Sequence, residues 1–271
     1  MANTNLTSVF NNKLIWITGA SSGIGEQLCY DLSKMGARLI LSARRTDELE
    51  RVRSACQSPE THTVLPLDML NEADVINAAD KVANELGTVD YLFNNAGITQ
   101  RSLINETDAD IYRKVMELNY FSQVTITRKV LPGMLARGSG HIVTTSSIAG
   151  LIGIPYRSAY CSSKHAIIGF MDSLRSEVHD KGLRVTTLCP GFVRTNIIDT
   201  ARREGTAQEK VEDTVIKNGM AVDEAVAEVL EAVANEKEQV VIAKGKEGMG
   251  PIIKRLFPSV IYKMVRKMAL T

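Results

Sequence analysis

A tyrosine and a lysine four residues apart, Tyr160 and Lys164, are the pair in this sequence best suited to moving a proton. This spacing in a helical stretch places both side chains on one face, where the ammonium can stabilise a phenolate. Bringing a phenol pKa from about 10 to near neutrality needs roughly 4 kcal/mol. A cation about 4 Å away, at an effective dielectric of about 20, supplies about that much. The pair therefore predicts a general acid or base that works near neutral pH.

A glycine-rich turn, Thr18-Gly19-Ala20-Ser21-Ser22-Gly23-Ile24-Gly25, joins an apolar run to an amphipathic stretch. Glycines at these positions permit a tight turn, close approach of a pyrophosphate to the backbone, and a helix N-terminus that faces the anion. No Lys-Ser or Lys-Thr pair follows the last glycine, which disfavours the phosphate loop of nucleoside triphosphatases. The turn predicts a dinucleotide site.

The second apolar run ends Ala43-Arg44-Arg45, where a cofactor without a 2′-phosphate would meet an Asp or Glu. A guanidinium can bind a phosphate through two parallel hydrogen bonds, so this strand end favours NADP over NAD. We assign the role to Arg44 more readily than to Arg45, because Arg45 can simply begin a solvated helix.

Short apolar runs alternate with longer amphipathic stretches along the chain, and this pattern predicts a parallel sheet covered by helices on both faces. The predicted strands are 14–18, 38–42, 62–67, 89–93, 141–145, 184–188 and 240–243, and the clearest helices are 73–86, 111–136 and 160–178. We expect one catalytic domain over residues 1–249. The polar, weakly periodic segment 191–220 predicts a lid within it.

Six motifs in fixed order resemble the short-chain dehydrogenase/reductase family, and the resemblance extends to about residue 243. They are the glycine pattern at 18–25, Asn94-Asn95-Ala96-Gly97, Asn119, Ser146-Ser147, Tyr160-x-x-x-Lys164 and Pro190-Gly191. The resemblance implies a Rossmann-type α/β fold: a doubly wound, seven-stranded parallel sheet of order 3-2-1-4-5-6-7. It also implies a nicotinamide cofactor along the carboxyl ends of the strands.

The resemblance also implies a catalytic tetrad. In it Tyr160 is the general acid/base, Lys164 lowers the pKa of Tyr160 and binds the nicotinamide ribose, and Ser147 polarises the substrate carbonyl. Asn119 holds a water that links Lys164 to solvent, and Ser146 is structural. Besides Tyr160 and Lys164, the implied cofactor-binding residues are Gly19, Ser21, Ser22, Gly23, Ile24, Gly25, Arg44, Asp68, Asn94, Ala96, Gly97, Pro190, Gly191, Val193 and Thr195. With Ser147 and Tyr160, Ile154 and Phe192 are the expected substrate contacts.

Charge and cysteine content exclude several classes of protein. Lys plus Arg is 32 and Asp plus Glu is 31, so the net charge of +1 gives no field that would draw the chain onto nucleic acid. The four cysteines are scattered without a metal-binding spacing, so we expect no metal site and no disulfide framework. The first residues lack the apolar run of a secretory signal, which favours a cytoplasmic setting.

The C-terminal extension, residues 250–271, is basic and amphipathic. It carries Lys254, Arg255, Lys263, Arg266 and Lys267, and Pro258 divides it into two short stretches. Such stretches pack on their own domain, contact a sister subunit, or lie in an anionic membrane surface as a peripheral contact. We favour packing or subunit contact, because apolar helical stripes are usually buried against protein.

These observations favour NADPH-dependent reduction of a hydrophobic ketone or aldehyde to an alcohol. One alternative keeps the chemistry but makes the chain an NAD-dependent secondary-alcohol dehydrogenase. The other is a cofactor-binding scaffold or redox sensor without turnover. The resemblance further implies a homodimer or homotetramer, formed through the long helices 111–136 and 160–178.

Overall fold

Seven parallel strands form one sheet in the computed structural model, which describes residues 5–197, 201 and 219–268. The spatial order of the strands is β3-β2-β1-β4-β5-β6-β7, so the predicted Rossmann-type topology is confirmed. The strands are β1 Leu14–Thr18, β2 Arg38–Ser42, β3 Thr63–Val64, β4 Tyr91–Asn94, β5 Gly140–Thr145, β6 Leu183–Pro190 and β7 Gln239–Ile242.

Helices cover both faces of this sheet. The α-helices are α1 Leu6–Phe10, α2 Gly23–Lys34, α3 Thr46–Ala55, α4 Glu72–Lys81, α5 Ala109–Met116, α6 Ser122–Arg137, α7 Ser158–Val178, α8 Val222–Ala234, α9 Gly250–Leu256 and α10 Pro258–Met268. Two π-helical turns, Val82–Leu86 and Glu117–Phe121, extend α4 and join α5 to α6. Short 3-10 turns span Pro59–Thr61, Ile104–Glu106, Ile148–Gly150, His179–Lys181 and Gly245–Met249.

Two apolar cores form because successive side chains of a strand point to opposite faces. In β1 the buried Trp16 enters the core beneath α4 to α7, whereas Ile15 and Ile17 enter the core beneath α1, α2, α3 and α8. A strand buried on both faces reads as a continuous apolar run, which is why β1 was predicted with its observed bounds.

The strand order reverses at β1, which pairs with β2 on one side and with β4 on the other. In open parallel sheets the crevice beyond the carboxyl ends of the strands at such a reversal is where ligands bind. Here Thr18 ends β1 and Asn94 ends β4, so the glycine turn and the Asn-Asn-Ala-Gly segment emerge side by side.

Strand β3 is shorter than the predicted 62–67. The ring of His62 takes a backbone position in the ladder, since its Nδ1 accepts from the Leu39 amide at 3.3 Å. Beyond Val64 two backbone amides still donate toward β2, Leu65 to the Leu41 carbonyl and Leu67 to the Ala43 carbonyl, although the segment is no longer a regular strand.

The predicted lid lies mostly outside the described residues, which omit 198–200 and 202–218. The two described ends of the predicted lid are joined by a bridge between Val193 and Met220. The Arg194 amide donates to the Met220 carbonyl at 2.9 Å, and the Met220 amide donates to the Phe192 carbonyl at 2.8 Å. The described residues on the two sides of this segment therefore meet beside β6.

Candidate active site

A cleft of about 770 Å³ opens beyond the carboxyl ends of the strands. Its wall contains the last residues of β1, β2, β5 and β6, which agrees with the position of the strand-order reversal. Most of the residues predicted from the sequence line it: Gly19, Ser21, Ser22, Gly23, Ile24, Arg44, Ala96, Gly97, Ser147, Ile154, Tyr160, Lys164, Pro190, Gly191, Phe192, Val193 and Thr195.

The glycine turn has the backbone that its sequence predicted. Gly19 and Gly23 have φ values of 70° and 58°, in the left-handed region that favours glycine. A Cβ at Gly19 would lie 2.9 Å from Ala96 Cα, and one at Gly23 would lie 3.1 Å from Thr195 Cγ2. The turn is therefore packed against the next two loops of the cleft with no room for side chains.

Helix α2 begins at Gly23, directly after this turn. Ser22 is its N-cap residue and has an extended backbone, but its side chain makes no capping hydrogen bond. The amides of the first helical turn consequently point into the cleft as donors, where an anion would be stabilised.

Arg44 and Arg45 both line the cleft at the end of β2, and both are exposed. Glu247 is the only Asp or Glu among the described residues that line the cleft. It lies far along the chain, where its carboxylate accepts a hydrogen bond from the Phe192 amide at 3.2 Å. The end of the cleft at β2 is thus cationic.

Tyr160 and Ser147 meet at the inner part of the cleft. The Ser147 hydroxyl forms a hydrogen bond with the Tyr160 side chain, donates to the Pro190 carbonyl at 3.2 Å, and accepts from the Ala149 amide at 3.1 Å. Ser146 points elsewhere, because its hydroxyl donates to the Lys164 carbonyl at 3.0 Å. The structure thus brings Ser147, and not Ser146, to the tyrosine.

Lys164 is almost fully buried, and its Nζ donates to the Thr145 carbonyl at 2.7 Å. The same nitrogen lies 5.8 Å from the centre of the Tyr160 ring. Burial lowers the pKa of Lys164 to about 8, because a charged amine is less stable away from water.

Burial and neighbouring polar groups shift the pKa of Tyr160 here, and the lowering of that pKa by Lys164 stays a prediction. Burial raises the pKa of Tyr160 above its ordinary value of 10.0. The hydrogen bond with Ser147 opposes that rise most strongly, and the charge of Arg157 opposes it next. Ser147 and Arg157 are thus the neighbours that lower the Tyr160 pKa, and Lys164 uses one of its donors on the Thr145 carbonyl.

Asn119 is fully buried in the π turn between α5 and α6. Its side chain accepts from the Ile98 amide at 2.9 Å and donates to the Ile98 carbonyl at 2.9 Å and to Ser163 Oγ at 3.0 Å. The amide group therefore joins the π turn to the Ile98 loop and to the helix that carries Tyr160 and Lys164.

Gly25, Asp68, Asn94 and Asn119 are the predicted site residues that do not line the cleft. Asp68 accepts from the Leu70 amide at 3.0 Å, and the chain neighbours of Asp68 line the cleft in its place. Asn94 is fully buried and donates to Thr127 Oγ1 at 2.9 Å, whereas Asn95 reaches the cleft. Strand alternation turns Asn94 inward and Asn95 outward, so this motif reaches the cleft through Asn95, Ala96 and Gly97.

A model of the short chain dehydrogenase family matches residues 13–206, about 70 per cent of the chain. The chain belongs to this family. Human "Dehydrogenase/reductase SDR family member 7" is 42% identical over 242 residues, which cover 85% of this chain and 70% of that protein. A Drosophila melanogaster "Dehydrogenase/reductase SDR family protein 7-like" is 37% identical over 263 residues, 95% of this chain and 80% of that protein.

Solved structures of the short-chain dehydrogenase family superpose on the described fold. A Burkholderia phymatum enzyme in complex with NAD has a TM-score of 0.79 at 25% identity, covering 94% of this chain and 96% of its own. A Beutenbergia cavernae putative gluconate 5-dehydrogenase with bound NADP has a TM-score of 0.74 at 25% identity, covering 88% and 96%. This short-chain dehydrogenase is accordingly an oxidoreductase that acts on CH–OH or C=O groups.

Sequence reasoning about this short-chain dehydrogenase missed Arg157, a buried residue that lines the cleft. Its guanidinium donates to Thr99 Oγ1 at 2.8 Å, and its charge lowers the pKa of Tyr160. The one signal in the sequence was its position three residues before Tyr160, where the structure makes it the N-cap residue of α7.

Sequence reasoning also missed that the C-terminal helices close one side of the cleft. Ile261, Met264 and Val265 of α10 line the cleft, and Ile261 is buried. Helix α9 is tied to the loop after β5, since Lys254 Nζ donates to the Leu151 carbonyl at 2.6 Å. The part of the extension that includes Ile261 thus packs on its own domain.

Two cysteines near the site are buried packing residues. Burial raises the pKa of Cys161 above its ordinary value and that of Cys189 to about 11. A thiol with so high a pKa is a poor nucleophile at neutral pH. Separately, the described residues include no helix with the length and apolar character needed to cross a bilayer.

Proposed function

We propose that this chain reduces an apolar ketone or aldehyde to an alcohol with NADPH as the reductant. The observation that carries the proposal is the convergence of Ser147, Tyr160 and Lys164 in one cleft whose far end is lined by Arg44. One end of the cleft offers a proton donor, a hydrogen-bond donor and a cation, and the other end offers a cation that can bind phosphate. This arrangement suits hydride transfer to a carbonyl.

The residues of the cleft fit a nicotinamide dinucleotide. The left-handed backbone at Gly19 and Gly23 shapes the glycine turn, and the uncapped first turn of α2 offers amides to a diphosphate. Arg44, with no carboxylate at that end among the described lining residues, supports a cofactor with a 2′-phosphate. The family members that hold NAD or NADP support the same class of cofactor.

When bound, the nicotinamide supplies the hydride. Tyr160 then donates its phenolic proton to the carbonyl oxygen, and Ser147 donates a hydrogen bond to the same oxygen. Lys164 stabilises the phenolate that remains and binds the ribose hydroxyls. We retain Asn119 in the proposal as a positioning residue, because it holds Ser163, whose hydroxyl donates to the Tyr160 carbonyl at 2.8 Å.

The substrate end of the cleft is apolar, which supports an apolar carbonyl compound. Its wall includes Ile98, Ile152, Ile154, Phe192 and Ile261. Arg157 adds one buried cation to this surface.

The decisive experiment compares wild type with Tyr160→Phe on a panel of ketones and aldehydes, following NADPH absorbance. We expect turnover to fall about 10²- to 10⁴-fold, because the proton donor is lost. NADPH affinity should stay within about twofold, because only one hydroxyl is removed. Tyr262→Phe, at an exposed tyrosine outside the cleft lining, is the matched control and should keep full activity.

Near wild-type turnover by Tyr160→Phe would refute the mechanism. Wild-type protein that binds NADPH but reduces nothing on the panel would favour the scaffold or sensor alternative. Faster turnover with NAD and secondary alcohols would favour the dehydrogenase alternative.

We also propose that the chain forms a homodimer or homotetramer through α5, α6 and α7. Phe121, between α5 and α6, is 51% exposed, and its ring lies 5.0 Å from that of Tyr120. Tyr120 in turn meets Phe170 of α7 at 6.4 Å. An exposed aromatic cluster on these helices supports a subunit contact, and sedimentation of Phe121→Asp against wild type tests it.

A further inference from the structure

The C-terminal helices carry most of the exposed apolar surface of the described chain. Seven of its ten exposed large apolar side chains lie between residues 249 and 264, each 48% to 62% exposed. They are Met249, Ile252, Leu256, Phe257, Val260, Tyr262 and Met264. A contiguous segment with so much exposed apolar surface is typical of an interaction site.

The same segment is cationic. Glu247 is the last acidic side chain of the sequence, and five basic residues follow it. Lys254 is engaged with the Leu151 carbonyl, whereas Arg255, Lys263, Arg266 and Lys267 are exposed. Its positive charge is therefore not balanced by any carboxylate side chain within the segment.

Helix α10 points its basic side chains away from the domain. Ile261 and Val265 face the cleft, so the inner side of the helix is already covered by the domain. At 100° per residue, Lys263, Arg266 and Lys267 fall on the opposite side. Exposed apolar side chains flank that basic side, an arrangement typical of helices that lie in the headgroup region of a bilayer.

A second copy of this chain is a poorer occupant of the surface. A twofold contact places the same patch against itself, and here it would set the exposed cations of one protomer opposite those of the other. Like charges that face one another across an interface oppose association. An anionic lipid surface complements the cations and receives the apolar side chains as well.

We propose that the surface formed by α9 and α10 docks the protein peripherally on bilayers that contain anionic lipids. In this arrangement the basic residues contact the headgroups, and Leu256, Phe257 and Val260 enter the interface. The proposal is independent of the reaction proposed above, because none of these side chains lines the cleft.

The experiment is co-sedimentation of the full chain with vesicles of phosphatidylcholine alone or with added phosphatidylserine. Wild type should bind the anionic vesicles preferentially. The triple variant Lys263→Gln, Arg266→Gln, Lys267→Gln should weaken that binding on the order of a hundredfold, at about fivefold per cation. Leu256→Ser with Phe257→Ser should weaken it on the order of tenfold by removing apolar insertion.

The matched control removes three exposed lysines elsewhere, through Lys34→Gln, Lys181→Gln and Lys237→Gln. It changes the net charge equally and should bind like wild type. Circular dichroism and thermal unfolding establish that each variant is folded. Equal binding to neutral vesicles, equal loss in the control, or no vesicle binding by wild type would overturn the proposal. A lower molecular mass of the Leu256→Ser, Phe257→Ser variant than of wild type in sedimentation would also overturn the proposal, because that result would assign the surface to a second copy of the chain.

Discussion

Lys164 donates through Nζ to the carbonyl oxygen of Thr145 over 2.7 Å. Thr145 is the last residue of β5, so the sheet itself fixes the position of the buried amine in the cleft. A neutral carbonyl satisfies one donor of the ammonium but does not cancel its charge. Burial consequently dominates, and it lowers the pKa of Lys164 from its ordinary value of 10.5 to about 8.

This pKa predicts a pH dependence of stability. Between pH 8 and pH 10 the unfolded chain binds the lysine proton and the folded chain does not, so the free energy of unfolding rises with pH across this window. Below pH 8 both states are protonated, and the contribution to the slope vanishes. Lys164→Met should remove the rise, which is on the order of 3 kcal/mol.

Urea unfolding of wild type and Lys164→Met at pH 7, 8, 9 and 10 measures the effect. Lys34→Met replaces an exposed lysine and should run parallel to wild type. If the free energy of unfolding changed with pH equally in wild type and Lys164→Met, the lowered pKa of the buried Lys164 amine would be contradicted.

Arg157 predicts a shift in the pH profile of turnover. Its charge lowers the pKa of Tyr160, so Arg157→Gln should move the acidic limb of kcat/KM for alcohol oxidation to higher pH. Arg157→Lys should restore part of the shift. Arg113→Gln, at an exposed salt bridge on α5, should leave the profile unchanged. A lower rate without a displaced profile would make Arg157 purely structural.

Arg44 predicts cofactor discrimination. Arg44→Ala should weaken NADPH binding about 10- to 100-fold, because a charge-assisted contact to the 2′-phosphate is lost, and should leave NADH binding within about twofold. Arg45→Ala is the neighbouring control and should have the smaller effect. Fluorescence titration with both cofactors gives the ratio. An equal loss for NADPH and NADH would show that Arg44 does not read the 2′-phosphate.

The crowded position of Gly19 leads us to expect that Gly19→Ala weakens cofactor binding although the side chains proposed for catalysis are unchanged. In Gly19→Ala an alanine would have to adopt the left-handed φ of Gly19. Its Cβ would also lie 2.9 Å from Ala96 Cα, so the turn must shift. We expect NADPH affinity to fall at least about tenfold and stability to fall by about 1–2 kcal/mol. Gly169→Ala, where a Cβ meets nothing within 4 Å, should be neutral or stabilising. Unchanged NADPH affinity in Gly19→Ala would contradict the assigned geometry.

Sequence periodicity predicted the elements that are buried on both sides. β1 and β2 were predicted with their observed bounds, and the helical stretch 111–136 lies within the continuous run from Ala109 to Arg137. Edge elements were less predictable. The short N-terminal helix α1 was missed, because only Phe10 of its five residues is buried and its start depends on capping by Asn5.

Within the cleft, local motifs predicted the turn and the Tyr160–Lys164 pair. What they could not supply were contacts between residues far apart in sequence. The hydrogen bond from Lys254 to Leu151 spans 103 residues, and Ile261 of α10 lines a cleft formed mostly by residues far earlier in the chain. The charge at Arg157 and the inward turn of Asn94 likewise depend on how the chain packs. The cytoplasmic setting stays a prediction.

The pairing of Val193 with Met220 bears on which changes of chain length the fold tolerates. Because the backbone bonds at this point close the base of the intervening chain, its length and composition can change without displacing β6 or α8. Insertions and deletions among residues 202–218 should therefore leave β6, α8 and the side chains at the inner part of the cleft in place.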